Sequence, residues 1–104
     1  DVYKRQPYYR LVYVYLKNRN EQLLDLMAQT MASKLRAVFG ARVLGPDKPP
    51  VARIQTLFIR KIVVKIEMNA SMARARQLLV QVQREMVAED RFKSLIVYYD
   101  VDPM

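Results

Sequence analysis

Apolar and polar residues follow one another along the chain in a pattern that predicts a strand, a helix, two strands, a helix and a strand. The first strand covers residues 8–17, which are rich in β-branched and aromatic side chains. The first helix covers residues 21–39, where apolar residues recur at steps of three and four: Leu24, Met27, Met31, Leu35 and Val38. Asn18 and Glu21 have the spacing of a capping box, and Gly40 is a residue that commonly closes a helix.

Two strands are predicted in the middle of the chain. The shorter one covers residues 42–46, because Pro46 ends it and the proline-containing connection that follows cannot enter a sheet interior. Residues 45–52 form the loop that we expect to move. From residue 53 to residue 67 apolar side chains occupy alternate positions, which predicts one long strand with two different faces.

A second helix and a last strand complete the pattern. The helix begins at a cap, Asn69 or Ser71, and ends near Ala88. Its buried stripe consists of Ala75, Leu78, Leu79, Val82 and Met86. The last strand covers residues 92–101 and is stopped by a proline.

Each of the two helices has one apolar stripe, and one face of a single sheet can bury both stripes. This order is typical of an α+β split β-α-β sandwich of the ferredoxin-like type, βαββαβ, with two layers and one open sheet face. At 104 residues and 52% apolar content, the chain has the size of one domain. We assign residues 7–104 to that domain and residues 1–6, which show no pattern, to an N-terminal extension of uncertain origin. Because the chain begins at Asp1 instead of Met, we expect it to be a piece of a longer protein.

The composition narrows the chemistry that the chain can perform. It contains no Cys and no His, so disulfides, thiolate metal sites, the commonest metal ligand and the commonest general base are all missing. There are two glycines and no glycine-rich phosphate-binding motif. We therefore predict a domain that binds instead of catalysing, with no catalytic, cofactor or metal site. No apolar run reaches the roughly 18–20 residues of a membrane span, which favours a cytoplasmic location and no membrane partner.

The net charge of +8 comes from one stretch of the sequence. Residues 34–76 carry ten Lys and Arg residues against two acids, which leaves eight bases and eight acids elsewhere. A concentrated cationic field attracts polyanions such as nucleic acid through phosphate contacts and counterion release. The sequence therefore predicts a continuous electropositive surface.

Tyrosines of the first strand share a face with lysines of the third. If the aliphatic side chains face the helices, Tyr13, Tyr15, Lys61 and Lys65 lie on the open face. Such a face is similar to a stacking platform for single-stranded nucleic acid. A tyrosine stripe on a sheet is more often a docking surface for another domain, or a set of simple cross-strand pairs, and this alternative stays open. With further cations of the basic stretch, the candidate DNA-binding residues are Arg42, Lys48, Arg53, Lys61, Lys65, Tyr13 and Tyr15.

Arg74 and Arg76 open the second helix, where the helix dipole disfavours cations. Their position is easier to understand if they meet a phosphate or a carboxylate, which a guanidinium binds at two points. A solvated helix start is the alternative.

Arg60 interrupts the apolar series of the third strand, so it marks either a bulge or a buried ion pair. Asp100 and Asp102 are its expected partners, and we predict a structural role for all three residues. Because the two acids would lie about 6–7 Å apart on one strand face, they could instead hold a divalent cation in a metabolic domain of ferredoxin-like shape.

Four short motifs together resemble a known family. They are PYYRL at residues 7–11, RVLGP at residues 42–46 followed by two prolines, IRK at residues 59–61, and VDP at residues 101–103. In this order and spacing they resemble the C-terminal domain of the primosomal protein N-prime family, the bacterial replication-restart DNA helicases. The resemblance covers nearly the whole chain from Pro7 onward.

The resemblance implies a ribosomal-protein-S10-like α/β fold and a C-terminal domain cut from an ATP-dependent helicase. ATP, magnesium and zinc would belong to the parent, with no cofactor in this part. The domain would help bind branched or single-stranded DNA, contact the helicase lobes and other primosome proteins, and work in DNA replication in the bacterial nucleoid. It would also line a pocket for the acidic tail of single-stranded DNA-binding protein, served here by Arg74, Arg76 and Gln77. A ribosomal-type RNA-binding protein of similar topology, whose loop 46–50 enters folded RNA, is the alternative.

Overall fold

The computed structural model describes residues 9–50 and 53–101 of the chain. The predicted extension at residues 1–6 and the predicted partner Asp102 lie outside the described residues. The elements are β1 (Tyr9–Asn18), α1 (Glu21–Phe39), β2 (Val43–Asp47), β3 (Arg53–Ile54), β4 (Leu57–Glu67), α2 (Met72–Val87) and β5 (Ile96–Val101). Short 3₁₀ turns at Gly40–Arg42 and Asp90–Phe92 follow the two helices.

Four strands form an antiparallel sheet in the order β2-β4-β1-β5, and β3 adds a short hairpin to β4. β1 lies at the centre of the register, with Tyr9 opposite Glu67 on β4 and Val12 opposite Val101 on β5. Both helices cover the same face of this sheet. The order βαββαβ and the two layers confirm the predicted α+β sandwich of ferredoxin-like type.

The core lies between the sheet and the two helices. Alternate residues of the two central strands are buried there: Val12, Val14, Leu16, Ile62, Val64 and Ile66. Each such side chain contributes about 1.5–3 kcal/mol through its removal from water. The opposite parity of the same strands faces away from the helices, and we call that side of the sheet the open face.

The predicted helix stripes are confirmed with two exceptions, Val38 of α1 and Leu78 of α2, and Leu78 is only partly buried. Leu24, Met27, Met31 and Leu35 of α1 are buried, but Val38 is 43% exposed. Phe39 packs against the core instead, because it follows Leu35 by four residues and so continues the buried stripe. In α2 the buried residues are Ala75, Leu79, Val82 and Met86, and the cap is Ser71, which accepts from the backbone N–H of Arg74 at 3.1 Å.

The predicted capping box at the start of α1 is wrong. Asn20 is the N-cap, and its Oδ1 accepts from the backbone N–H of Leu23 at 3.0 Å. Asn18 is the last residue of β1, and its side chain donates to the hydroxyl of Ser94 at 2.9 Å. This bond ties the end of β1 to the segment that leads into β5.

The strand boundaries differ from the predictions at three places. The predicted strand 53–67 is a hairpin, because a turn at Gln55, with φ at 55°, separates β3 from β4. The last strand begins at Ile96 instead of Phe92, since Phe92 fills the core from a 3₁₀ turn. β2 begins after Arg42, which belongs to the turn that follows α1.

Gly45 allows β2 to lie close to β4. Its φ is 97°, and a Cβ atom at this position would stand 2.9 Å from the carbonyl oxygen of Lys61. A side chain would therefore be strained in its backbone and would collide with the neighbouring strand. The β2–β4 register shifts between Leu44 and Asp47, around this residue. The loop predicted at residues 45–52 thus starts within β2, and residues 51–52 lie outside the described part.

Candidate nucleic-acid interface

The open face brings together the tyrosines and lysines that strand parity predicts. Tyr13 and Tyr15 of β1 lie beside Lys61 of β4, whose register partner is Tyr15. Lys65 lies on the same face, opposite Leu11. All four predicted open-face residues therefore belong to one surface.

Three lysines of this surface rest on tyrosine rings. The Nζ atom of Lys61 lies 4.4 Å from the ring centroid of Tyr13. The other two pairs are Lys17 over Tyr98 at 4.7 Å and Lys65 over Tyr9 at 5.7 Å. Each contact is worth about 0.5–1 kcal/mol at an exposed site. Within residues 9–50 and 53–101 none of the three lysines forms an ion pair with a carboxylate, so their charge is not neutralised there.

The tyrosine rings also contact one another. Tyr15 stacks on Tyr98 with ring centroids 5.0 Å apart, and it meets Tyr13 edge-on at 6.2 Å. Burial raises the pKa of the Tyr15 hydroxyl, and the nearby Asp100 carboxylate adds to the rise. Tyr15 therefore stays neutral at physiological pH, and its ring contacts two other tyrosine rings.

Two members of this surface were missed by sequence reasoning. Tyr98 has the register partner Tyr15, and Lys17 has the same parity as Tyr13 and Tyr15. Extending the strand-parity argument to the last strand would have found Tyr98. The Lys17–Tyr98 contact needs the β1–β5 register, which the pattern of one strand does not contain.

Arg60 lies on the opposite, helix-facing side of the sheet. Its side chain is buried, its Nε donates to Asp25 Oδ1 at 2.7 Å, and its Nη2 donates to Glu21 Oε2 at 2.7 Å. The predicted partner Asp100 is wrong, because Asp100 pairs in register with Tyr13 and therefore lies on the open face. Burial works to lower the pKa of Arg60, but its hydrogen bonds to the two carboxylates raise that pKa above the usual value.

The ten cations of residues 34–76 do not form one continuous surface, so that prediction is wrong in its simple form. Lys34 pairs with Glu85 at 3.5 Å, Arg42 pairs with Glu67, and Arg60 is buried between its two carboxylates. Lys34 and Arg60 are thus matched by acids from outside the stretch, and Arg42 is matched by one of the two acids within it. The unmatched charge has to be sought among the remaining seven.

Lys65 and Arg74 come from opposite layers of the sandwich but line one depression of about 160 Å³ at the end of the sheet. The Arg42–Glu67 pair also lines it. Because Lys61 stands on the same strand face as Lys65, the open face and α2 are joined here by cations. We call the joined set the cationic band, and it consists of Lys61, Lys65, Arg74, Arg76 and Arg84.

The α2 part of the band forms a shallow groove on the solvent side of the helix. It is lined by Arg74, Arg76, Gln77, Val80, Gln81 and Arg84. The three residues that the sequence assigns to an acidic tail, Arg74, Arg76 and Gln77, are thus brought together. We call this surface the α2 groove.

An apolar pocket of about 210 Å³ adjoins the α2 groove between α2 and β5. Arg76 and Val80 line both, and the remaining lining residues are Val12, Met72, Leu79, Tyr99 and Val101. The Tyr99 hydroxyl donates to Gln83 Oε1 at 2.7 Å, and burial raises the pKa of Tyr99 to about 12. The sequence gives no signal for this pocket, because it depends on how α2 lies against β5.

Two predicted DNA-binding residues line neither the depression beside Lys65 nor the α2 groove. Arg53 is on the β3–β4 hairpin, where its guanidinium covers the ring of Phe58 at 5.0 Å. Phe58 is seven residues from Lys65 on one strand, about 23 Å, but only three residues from Lys61, about 10 Å. Lys48 is exposed in the connection after β2 and directly follows Asp47, the register partner of Lys61. The cationic band as defined does not include these two cations.

Neither a metal site nor a membrane-spanning helix is seen in the part of the chain that the structure describes. No group of three or more Asp, Glu, His or Cys side chains could hold a metal ion there. No helix in residues 9–50 and 53–101 has both the length and the apolar character to cross a membrane. The suggested cation site at Asp100 and Asp102 includes a residue outside those ranges and stays a prediction.

Comparison with known proteins adds no family assignment. The chain matches no protein-family model, and no curated protein is significantly similar to it. The resemblance to the replication-restart helicases therefore stays a prediction made from the residues.

Proposed function

We propose that this chain is a non-catalytic DNA-binding domain, the C-terminal domain of a bacterial replication-restart helicase of the primosomal protein N-prime family. Support comes from the order of the sequence motifs and from the βαββαβ fold. ATP hydrolysis, with its magnesium, and zinc binding belong to the parent protein in this proposal. The domain works in the bacterial nucleoid beside the helicase lobes and the other primosome proteins.

One observation carries the DNA-binding part of the proposal. Lys65 from the sheet and Arg74 from the helix layer line the same depression, so cations from both layers meet along one track. A branched DNA presents phosphates over a distance that one small patch does not cover. Each phosphate neutralised on a single strand contributes a slope of about −0.7 to the dependence of log affinity on log salt concentration.

The test is the affinity for forked DNA, duplex DNA and structured RNA, measured by fluorescence anisotropy at one fixed salt concentration. The variant Lys61→Gln/Lys65→Gln should bind forked DNA about tenfold more weakly, and its salt slope should be shallower by about 1.4. The matched control is Arg91→Gln/Lys93→Gln, which removes the same charge from two exposed residues that pair with Glu89 and Asp90.

Equal losses in both double variants would mean that only net charge matters, and the assignment of the band would be wrong. A preference for structured RNA over forked DNA would favour a ribosomal-type RNA-binding protein instead.

A second binding function is proposed for the α2 groove, namely the acidic tail of single-stranded DNA-binding protein. Arg76 borders both the groove and the apolar pocket, so one ligand can place a carboxylate on the guanidinium and an apolar group beside it. A labelled peptide of that tail should bind the wild-type domain and lose about tenfold in affinity with Arg76→Gln. Arg19→Gln, an exposed cation between β1 and α1, should leave the affinity unchanged.

A further inference from the structure

In the lysine–tyrosine pairs of the open face, each lysine covers a tyrosine ring face that could otherwise contact a ligand. Each ammonium group lies over a ring, so the ring face and the charge are both satisfied inside the protein. These cation–π contacts are weak, because they are exposed to water. A ligand that supplies a flat aromatic group for the ring and an anion for the lysine would satisfy both more strongly.

Single-stranded nucleic acid has this chemistry, because every nucleotide carries one base and one phosphate. We propose that a single strand binds the open face by exchange: a base takes the place of each lysine on its tyrosine ring, and the displaced lysine takes a phosphate. The inference rests on the proposed DNA-binding function and names the mode of binding at the same site.

Three ring–lysine units set the size of the site. They are Tyr13 with Lys61, Tyr98 with Lys17, and Tyr9 with Lys65. Each unit accepts one base, so the face holds three stacked bases. Tyr9 and Tyr13 are four residues apart on β1, about 13 Å, so the bases lie spread along the sheet.

Tyr15 has a different role from the other rings. Its ring stacks on Tyr98 and meets Tyr13 edge-on, and no lysine of residues 9–50 or 53–101 covers it. It therefore positions Tyr98 and Tyr13 and does not itself accept a base. The exchange is independent of base sequence, because only the ring faces of the bases are used.

Charge decides between a nucleic acid and a protein domain as the occupant. Three lysines project onto this face without a carboxylate partner among the described residues. A docked apolar domain would bury those charges unpaired at a large cost in free energy. A polyanion with aromatic groups instead supplies an anion for each lysine.

The experiment compares two ligands of equal charge, the oligonucleotide dT8 and an abasic deoxyribose-phosphate strand of the same length. The wild-type domain should bind dT8 at least about 100-fold more tightly, since removal of a single base–aromatic stack costs about 1–3 kcal/mol and three stacks are lost. The variant Tyr13→Ala/Tyr98→Ala should bind dT8 about 30-fold more weakly than the wild type, and its affinity for the abasic strand should not change.

Fluorescence gives an independent measurement. The chain has seven Tyr and no Trp, so quenching of tyrosine emission by dT8 can be followed without interference from Trp emission. Tyr13→Phe/Tyr98→Phe keeps both rings and should keep the dT8 affinity within about twofold. That variant is also the control for folding.

The outcomes separate the two proposals. If neither ligand binds, the proposed function itself fails. If dT8 and the abasic strand bind equally tightly, DNA binding stands and the exchange is wrong. If the Tyr13→Ala/Tyr98→Ala variant is folded by circular dichroism and keeps the wild-type affinity for dT8, the face is not a stacking site and a protein partner is the better occupant.

Discussion

The two faces of the central strands β1 and β4 differ in whether their cations have carboxylate partners. On the helix side Val12, Val14 and Leu16 have no exposed surface. Arg60, the one buried cation in the part of the chain that the structure describes, is matched there by two carboxylates. On the open side lysines stand over aromatic rings without a carboxylate partner among the described residues. Adjacent residues of one strand thus belong either to a buried side with matched charge or to an exposed side with unmatched charge, and the exposed side is the one proposed to bind DNA.

The strongest way to break this comparison is a pair of substitutions at neighbouring positions of β1. Leu16→Ala should lower the free energy of unfolding by about 3 kcal/mol, because it leaves a cavity in the core. Lys17→Ala, one residue away on the open face, should lower it by less than about 0.5–1 kcal/mol. Urea unfolding followed by circular dichroism measures both. Similar losses of unfolding free energy at the two positions would mean that both faces contribute equally to stability, and the comparison would fail.

The matched charge of Arg60 gives the next largest effect. Glu21→Gln/Asp25→Asn should lower the free energy of unfolding by about 2 kcal/mol, since it leaves a buried guanidinium without counter-charge. The value lies below that of a fully enclosed pair because both carboxylates are about half exposed. Asp90→Asn, which removes an acid from the exposed Lys93 pair, is the control and should change stability by less than about 0.5 kcal/mol.

Tyr99, on the helix side of the sheet, should make stability depend on alkaline pH. Its folded-state pKa of about 12 lies above the usual 10, so its stabilising contribution is complete below pH 10 and is lost as the pH rises from 10 towards 12. After allowance for remaining exposure, we expect Tyr99→Phe to remove about 1 kcal/mol of this alkaline loss. Urea unfolding at pH 9 and pH 11 tests it. Parallel pH curves for the variant and the wild type would contradict the assignment.

The smallest stability effect is expected at a residue that is proposed to bind DNA. Lys61→Gln should change the free energy of unfolding by no more than about 0.5–1 kcal/mol, because it removes one exposed contact with Tyr13. The same substitution should weaken binding to forked DNA severalfold. A large loss of stability would show that Lys61 holds the sheet together, and the division between the two faces would then fail.

The sequence was sufficient for what depends on local periodicity. Tyr13, Tyr15, Lys61 and Lys65 reach one face because strand parity and one apolar face decide it. The partners of Arg60 could not be predicted, since they require the first turn of α1 to lie over β4. The break at Gln55 was missed because a non-glycine residue adopts a positive φ there. The apolar pocket beside Tyr99 depends on the packing of a helix on an edge strand, which no local pattern encodes.

The lysines and tyrosines of β1 and β4 stand on the two inner strands of the sheet, and each of these strands is paired on both sides. Their backbone amides are therefore already engaged in ladder bonds before any ligand arrives. Binding should consequently reorient side chains over a preformed scaffold and leave amide hydrogen exchange in these strands nearly unchanged. A surface of this kind loses little backbone entropy on association, so a domain of modest size can hold a flexible strand.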